Sequence, residues 1–500
     1  MADMRGIDTP LKELRQQVFT GIAKLAYSGE DIHKIEEIPY EITPGDVPKY
    51  RESIYRERAI ASERLRLAMG MSLRPEDKPV HITQGIEESN IADKYYEPPL
   101  MQVIPSACNA CEHNLYVVSD QCKGCLAHPC QEVCPKGAIS FVDGKSFIDQ
   151  AKCIHCGKCK QNCPYDAIAL KRRPCADACG VGAIGSVSLG RAKIDSEKCV
   201  SCGMCMVSCP FGAIADKSQI FQLIRAMQAG DEIIAEIAPS FVGQFGPSAT
   251  PGRIKAALLE LGFSSVYEVA VGADMGAMAE AHHYVEKVAT GELPFLLTSC
   301  CPSWSMLAKK YFPEMISNIS NELTPMVATA RMIKKEHPDS RVVFIGPCAA
   351  KKLEASRRSV RSEVDFVITF EELEGMFRAK EIDFDIMPED EISGATGAGR
   401  GYGVAGGVAA AIESCIKEYY PGVEVKIEHA EGLADCKKML MLAKAGKKSG
   451  CLIEGMGCPG GCVAGAGTNL SIAKAAQAVK KFAQQADKRI PDKEEENQIG

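Results

Sequence analysis

Three short cysteine segments in the second half of the chain contain the residues best suited to metal chemistry. They read Thr298-Ser-Cys-Cys-Pro-Ser-Trp304, Gly346-Pro-Cys-Ala-Ala-Lys-Lys-Leu-Glu354 and Glu454-Gly-Met-Gly-Cys-Pro-Gly-Gly-Cys-Val463. Each is bounded by Gly or Pro and flanked by apolar runs, which predicts a tight loop that leaves a strand or enters a helix. Four thiolates converging from three such loops suit one cubane iron-sulfur cluster, and one cysteine is left over beside a ligand.

A second group of cysteines, between residues 108 and 209, forms an internal repeat. Its complete runs have bacterial-ferredoxin spacing, and in two-cluster ferredoxins the fourth cysteine of each run ligates the other cluster. The first two runs therefore predict one 4Fe-4S cluster on Cys122, Cys125, Cys130 and Cys163 and another on Cys153, Cys156, Cys159 and Cys134.

The second pair of runs is incomplete, because its first run lacks a leading Cys-x-x-Cys. An isolated Cys108-x-x-Cys111 lies upstream of the whole repeat, and we infer that it fills this vacancy. The inference predicts clusters on Cys199, Cys202, Cys205 and Cys179 and on Cys108, Cys111, Cys175 and Cys209, so that four clusters use every cysteine of the repeat. The alternative is three clusters, with Cys108 and Cys111 bound to none, because spacing alone does not fix which cysteines share a cluster.

Composition limits the class of protein. The chain has 24 cysteines in 500 residues, but disulfide scaffolds are short secreted domains, and zinc sites usually need only paired Cys-x-x-Cys. A net charge of −7 without a clustered basic face argues against a nucleic-acid partner. No apolar run reaches the length of a membrane span and no signal-peptide core is visible, so we expect a cytoplasmic protein without a membrane association.

Hydrophobic periodicity indicates which elements position the cysteines. Residues 1–95 predict a helical N-terminal region that packs on its neighbour or contacts a subunit, with helical segments at 11–25 and 51–71. Residues 96–218 predict a ferredoxin-like domain, 219–485 a catalytic domain and 486–500 a charged tail. Within the catalytic domain, helices alternate with strand-like runs at 233–237, 265–269, 295–297, 342–345, 365–368, 423–427 and 452–453.

That alternation predicts an α/β fold, α+β overall, in which the cysteine loops lie at the ends of strands. The glycine-rich stretch 397–407 fails the dinucleotide fingerprint in its spacing and predicts close backbone packing around the metal site. The remaining cysteines, Cys415, Cys436 and Cys451, are expected in the core.

Together, the three cysteine segments resemble the three signatures of the iron-iron hydrogenases, and the resemblance covers roughly residues 100 to 480. It implies a two-lobed H-cluster domain whose sheets are flanked by helices, and reversible reduction of protons to H2. The implied cofactors are an H-cluster, which joins a 4Fe-4S cubane to a diiron unit with carbon monoxide, cyanide and dithiolate ligands, and four further 4Fe-4S clusters. The implied partners are a soluble ferredoxin or other redox protein, and maturation proteins for the diiron unit.

The resemblance also implies roles for individual residues. Cys301, Cys348, Cys458 and Cys462 match the cubane ligands, and Cys462 also bridges to the diiron unit. Lys351 matches the lysine that hydrogen-bonds a cyanide ligand. The residues matched to positions around the diiron unit are Ala238, Pro239, Ser240, Met326, Tyr402 and Met456.

Cys300 matches the cysteine that passes protons to the bridging amine of the dithiolate, although a free cysteine can also be simply a small buried hydrophobe. Behind it, Glu280 and Ser320 match the family's proton relay. His283 and Lys287 take the places of an acid and an arginine. Spacings of three and four residues predict that Glu280, His283 and Lys287 share one helix face.

Met326, Gly346, Pro459 and Ala466 depart from common family residues and indicate a divergent subgroup. Two other functions use the same fold. A hydrogen-sensing regulatory protein predicts an attached signalling module, which the sequence does not display. An iron-sulfur assembly scaffold would lack the diiron unit, and Cys300, Lys351 and the Cys458-x3-Cys462 pair argue against it.

Overall fold

The computed structural model describes residues 4–91, 99–357, 360–392 and 394–493. Four helices come first: α1 (Pro10–Ser28), α2 (Ile38–Ile42), α3 (Ile54–Ala68) and α4 (Ile86–Ser89). Thr9 caps α1 by accepting a hydrogen bond from the Lys12 N–H, and the left-handed Gly29 ends it. The two helical segments predicted before residue 95 are confirmed as α1 and α3. The predicted boundary near 95 lies outside the described residues, as does the tail after 493.

The cysteine-rich region consists of short antiparallel strand pairs and one-turn helices. Its elements are β1 (Met101–Val103), β2 (Leu115–Val118), α5 (Pro129–Glu132), β3 (Ile139–Val142), β4 (Lys145–Ile148), α6 (Lys158–Gln161), β5 (Ile168–Lys171), α7 (Pro174–Asp177), β6 (Ile184–Ser186), β7 (Ala192–Ile194), α8 (Met204–Ser208) and β8 (Ile214–Asp216). The pairs are β1 with β8, β2 with β5, β3 with β4 and β6 with β7.

The remaining elements build two parallel sheets covered by helices. They are α9 (Ile220–Ala229), β9 (Ile233–Ile237), α10 (Pro251–Leu261), β10 (Ser265–Glu268), α11 (Val269–His283), β11 (Phe295–Leu297), α12 (Pro302–Tyr311), α13 (Pro325–Glu336), β12 (Arg341–Ile345), α14 (Ala349–Ala355), β13 (Phe366–Ile368), α15 (Phe370–Ala379), α16 (Gly397–Gly401), α17 (Gly407–Tyr419), β14 (Lys426–Glu431), α18 (Leu433–Lys444), β15 (Cys451–Met456) and α19 (Ile472–Gln484). The strand orders are β10-β9-β12-β13 and β11-β15-β14.

All seven predicted strands are present, because fully buried parallel strands read as continuous apolar runs. The run predicted at 423–427 forms a strand only from Lys426, because a turn with left-handed Gly422 precedes it. The α/β prediction is confirmed. Cys415, Cys436 and Cys451 are buried in the core, as predicted.

Several contacts hold the regions together, among them two that are buried. The apolar face of α1 packs into the same core as the four-stranded sheet, through residues such as Val18 and Ile22. The fully buried Lys352 on α14 donates to Asp216 of β8 at 2.7 Å and to Glu372 of α15 at 2.8 Å. This ammonium therefore ties the cysteine-rich region to the large sheet. Within the described ranges, no helix is both long and apolar enough to cross a membrane.

Candidate active site

The three cysteine segments lie at the carboxyl ends of three parallel strands, as predicted. The Cys300-Cys301 pair follows β11 and precedes α12, and Cys348 follows β12 and caps α14. Cys458 and Cys462 follow β15. Because β11 and β15 belong to one sheet and β12 to the other, the segments meet between the two lobes.

One cavity between the two lobes, with a volume of about 80 Å³, receives all three segments. Its walls include all five cysteines and seven further predicted residues: Ala238, Pro239, Ser240, Met326, Lys351, Tyr402 and Met456. Cys202 of the upstream repeat also lies in this wall. Glu280, Ser320 and His283 are not lining residues and lie behind it.

The side chains that line this cavity fit an iron cluster that is bound through cysteine thiolates and that carries polar ligands. Burial raises the pKa of Cys348 to about 11, and burial also raises the pKa of Cys458 and Cys462. Thiols in such a place become thiolates when iron binds, so loading the site releases protons. The hydroxyls of Ser240 and Tyr402 are buried without a hydrogen-bond partner among the described residues, which leaves them available to a polar group in the cavity.

The glycine-rich stretch packs against the cavity closely, as predicted. The buried Glu454 of β15 accepts the N–H groups of Gly406 and Ala409, both at 2.8 Å, and so fixes the start of α17. A Cβ on Gly455 would lie 2.1 Å from the Trp304 ring. Only glycine therefore fits between β15 and this indole, whose Nε1–H donates to the Thr298 carbonyl at 3.1 Å.

In the cysteine-rich region, the isolated Cys108-x-x-Cys111 has the same backbone conformation as the Cys-x-x-Cys loops that begin at Cys122, Cys153 and Cys199. The third residue of each loop is left-handed: Ala110 (φ 48°), Gly124 (φ 57°), His155 (φ 54°) and Ser201 (φ 54°). This conformation is uncommon for residues other than glycine, and for alanine especially it must be imposed by its surroundings. Cys108-x-x-Cys111 thus shares the backbone conformation of three loops that are predicted to hold clusters.

The four cysteines predicted to hold one cluster, Cys108, Cys111, Cys175 and Cys209, lie near enough for their charges to influence one another. Burial, followed by the neighbouring Cys209 and Cys108 sulfurs, raises the pKa of both Cys111 and Cys175. Burial, followed by Cys179, Cys199 and Cys301, raises the pKa of Cys202 to about 12. Cys202 therefore lies between its own predicted cluster and the cavity.

Comparison with known proteins agrees with this arrangement. The family described as "Iron only hydrogenase large subunit, C-terminal domain" matches residues 231–466. Models of 4Fe-4S dicluster domains match residues 121–168 and 152–213. The chain is 31% identical over 390 residues to iron hydrogenase 1 of Clostridium pasteurianum, with 67% of each chain covered. The chain belongs to the iron-only hydrogenase family.

Further similarities are weaker or shorter. The chain is 31% identical over 375 residues to a periplasmic [Fe] hydrogenase large subunit of Nitratidesulfovibrio vulgaris, covering 64% of this chain and 85% of that protein. A 99-residue stretch is 38% identical to a cytosolic Fe-S cluster assembly factor of Kluyveromyces lactis, covering 20% of this chain and 21% of that one. An apo [FeFe]-hydrogenase from Chlamydomonas reinhardtii, 23% identical, aligns with a TM-score of 0.46 over 54% of this chain and 88% of its own.

In this member of the family, Lys351 has a carboxylate partner. Its Nζ lies 2.6 Å from Oε2 of Glu354, and both side chains are buried. Burial alone lowers the pKa of Lys351, but the charge and hydrogen bond of Glu354 outweigh burial, so the pKa is raised. The cavity wall therefore keeps a positive charge at neutral pH.

Glu280 lies directly behind the loop that carries Cys300. Its Oε1 accepts the Ser299 N–H at 3.1 Å and the Ser299 hydroxyl at 3.2 Å. Burial raises the pKa of Glu280 to about 7, although hydrogen bonds from Ser299 and Ser320 oppose the shift. A carboxyl with a pKa near neutrality can both take up and release a proton at working pH.

The predicted helix stripe behind Glu280 does not continue to Lys287. The α-helix α11 ends at His283 and a π-helical turn, Tyr284–Val288, follows. The Lys287 ammonium instead pairs with Glu292 at 2.8 Å on the surface. Sequence reasoning also missed Glu322 on a separate loop, because no local spacing connects it with α11. Its Oε1 lies 3.9 Å from Nδ1 of His283, and its charge contributes to the raised pKa of Glu280.

Proposed function

We propose that this member of the iron-only hydrogenase family reversibly reduces two protons to H2 at an H-cluster in the cavity. The observation that carries the proposal is that five cysteines from three loops and one lysine share a single buried wall. Cys301, Cys348, Cys458 and Cys462 would hold the cluster, which supplies the redox chemistry when bound. The chain supplies the ligands, the polar wall and the proton route.

Protons would reach the cavity through the Cys300 thiol. Cys300 faces the cavity, and Glu280 behind its loop has a pKa near neutrality. Lys351, anchored by Glu354, would hydrogen-bond an anionic ligand of the bound group. Ser240 and Tyr402 offer hydroxyl donors in the same wall. In this proposal, Cys300 and Glu280 carry protons, whereas Lys351, Ser240 and Tyr402 bind and orient the bound group.

Electrons would arrive through four 4Fe-4S clusters. Cys202 in the cavity wall would make the cluster of Cys179, Cys199, Cys202 and Cys205 the last step before the active site. The partner would be a soluble ferredoxin or another redox protein that docks near the outer clusters, where Cys156 is exposed. Dependence on ferredoxin is part of this proposal.

The assembly-scaffold alternative is favoured by one observation, the similarity of a 99-residue stretch to an assembly factor. Iron content separates the two functions. The hydrogenase predicts about twenty-two irons per chain, against about twenty for cubanes alone.

The experiment is anaerobic maturation followed by gas chromatography of H2 with a low-potential donor and infrared spectroscopy. We expect H2 and the carbonyl and cyanide bands of a diiron unit. Cys300→Ala should keep these bands and lose at least about a hundredfold in rate, as expected for removing a general acid. Cys451→Ala, at a buried cysteine that begins β15 at the end away from Cys458, is the matched control and should keep the rate. Absence of carbonyl and cyanide bands in the wild type would refute the proposal.

A further inference from the structure

A buried serine of β4 lies between two cysteines that are predicted to hold the same 4Fe-4S cluster. The Ser146 N–H donates to Cys122 Sγ at 3.5 Å, and the Ser146 hydroxyl oxygen lies 3.3 Å from Cys130 Sγ. Ser146 and Cys130 are both buried. One residue therefore contacts two predicted ligands of one cluster, one through its backbone and the other through its side chain.

The chemistry of the ligand decides the direction of the hydroxyl bond. Between a neutral thiol and a hydroxyl, either group can be the donor. A cysteine that ligates iron is a thiolate without a proton, so the Ser146 hydroxyl must then donate to Cys130 Sγ. Because both groups are buried, the bond lies in a medium of low dielectric constant, which strengthens it.

The predicted cluster sites also receive backbone donors, as negatively charged sulfurs require. At each of the four sites, backbone N–H groups donate to two of the sulfurs at 3.2–3.5 Å. These sulfurs belong to Cys122 and Cys163, to Cys134 and Cys153, to Cys179 and Cys199, and to Cys108 and Cys209. The donors fit thiolates that hold a cluster at all four sites.

The internal repeat contains a natural comparison for Ser146. Ser146 lies seven positions before Cys153, and Ala192 lies seven positions before Cys199. The Ala192 N–H donates to Cys108 Sγ at 3.5 Å, the same distance as the corresponding backbone bond of Ser146. The two residues therefore occupy equivalent positions, on β4 and on β7, but Ala192 has no hydroxyl to donate.

We propose that Ser146 raises the reduction potential of the cluster predicted on Cys122, Cys125, Cys130 and Cys163. Hydrogen bonds to the sulfurs are among the factors that set the potential of iron-sulfur clusters. Reduction adds one electron, which a low-potential redox protein supplies, and increases the negative charge on the sulfurs. A hydroxyl donor therefore stabilises the reduced form more than the oxidised form, and it keeps its own proton. The proposal rests on the electron route of the proposed function and not on its H2 chemistry.

The decisive measurement is a redox titration of the full chain with reconstituted clusters, followed by electron paramagnetic resonance. We expect Ser146→Ala to make reduction of one spectral component at least about threefold less favourable, a downward shift of about 28 mV for one electron. The other components should not move. Ser146→Thr keeps the hydroxyl and should keep the wild-type midpoint. Ser140→Ala, at an exposed serine of the paired strand β3, is the matched control and should change no midpoint.

The reciprocal variant is Ala192→Ser, which introduces a hydroxyl at the equivalent position. A different component should then move to higher potential. Ala192 shows that alanine fits this position of the repeat, so we expect Ser146→Ala to keep its iron content. Unchanged midpoints in Ser146→Ala would overturn the proposal. If Ser146→Ala binds less iron, Ala192→Ser carries the test, and unchanged midpoints there would overturn it. A wild type that holds these clusters but makes no H2 would instead overturn the proposed function.

Discussion

Glu236 is a buried acid whose protonation can be tested through stability. It lies on β9 with no exposed surface, and neither carboxyl oxygen has a hydrogen-bond partner among the described residues. Its register partner on β12 is Phe344, which lines the cavity, so both side chains point to the cavity side of the sheet. Burial raises the pKa of Glu236 well above its usual value, although Lys351 acts in the opposite direction.

We expect this carboxyl to be protonated in the folded protein at neutral pH. In the unfolded chain a glutamate ionises near pH 4.3, so above that pH the folded state holds one proton more than the unfolded state. Stability must then fall as pH rises, by about 1.4 kcal/mol per pH unit until the folded-state pKa is reached. Glu236→Gln keeps the shape and removes the ionisation. Relative to the wild type, the variant should therefore gain about 1.4 kcal/mol between pH 6 and pH 7.

Hydrogen exchange of the β9 amides, followed by mass spectrometry on the anaerobic protein, measures this difference. Comparing the two proteins at each pH cancels the intrinsic pH dependence of exchange, and the protection ratio should grow about tenfold per pH unit. Glu260→Gln, at an exposed position on α10, should give a constant ratio. A constant ratio for Glu236→Gln would refute the reasoning and would mean that Glu236 is ionised and shares Lys351 with Glu354.

Two further changes test the site and the clusters. Gly455→Ala would place a Cβ 2.1 Å from the Trp304 ring, so we expect a loss of about 1–3 kcal/mol and a shifted fluorescence of this single tryptophan. Gly401→Ala, where a Cβ meets nothing within 4 Å, should change neither; equal effects would contradict the packing argument. Cys111→Ser should remove one cluster, about four irons, measured by iron content and electron paramagnetic resonance, with Cys415→Ser as the control. Unchanged iron in Cys111→Ser would support the three-cluster alternative.

The sequence was sufficient for features that depend on local pattern. Buried strands such as β9 and β12 are continuous apolar runs, and the cysteine loops are bounded by Gly and Pro, so both could be located without coordinates. The ligand role of Cys108 and Cys111 was inferred from counting, and the left-handed Ala110 adds a conformational argument for it. The strands and loops were predictable because their residue spacing and their residue types indicate the same structure. The ligand role of Cys108 and Cys111 stays a prediction.

The surroundings of Glu280 and His283 were not predictable in the same way. Helical spacing placed Lys287 below His283, but the π-helical turn after His283 changes the direction of the helix face. Glu322 is 39 positions from His283 in the chain and comes within 3.9 Å of it because the segment at Ile319 pairs with Leu297 of β11. Contacts of this kind depend on tertiary packing, which leaves no periodic signal in the sequence.

The position of the cavity between two sheets couples cluster binding to the packing of the lobes. Cys301, Cys458 and Cys462 come from the three-stranded sheet, whereas Cys348 comes from the four-stranded one. A cluster held by all four would join the lobes, so part of its binding free energy would stabilise their packing. Lys352, on the same helix as Lys351, already fixes α14 to Asp216 and Glu372 through buried ion pairs. The helix that follows Cys348 is therefore held in position by the protein itself, and that ligand needs little rearrangement when the cluster is inserted.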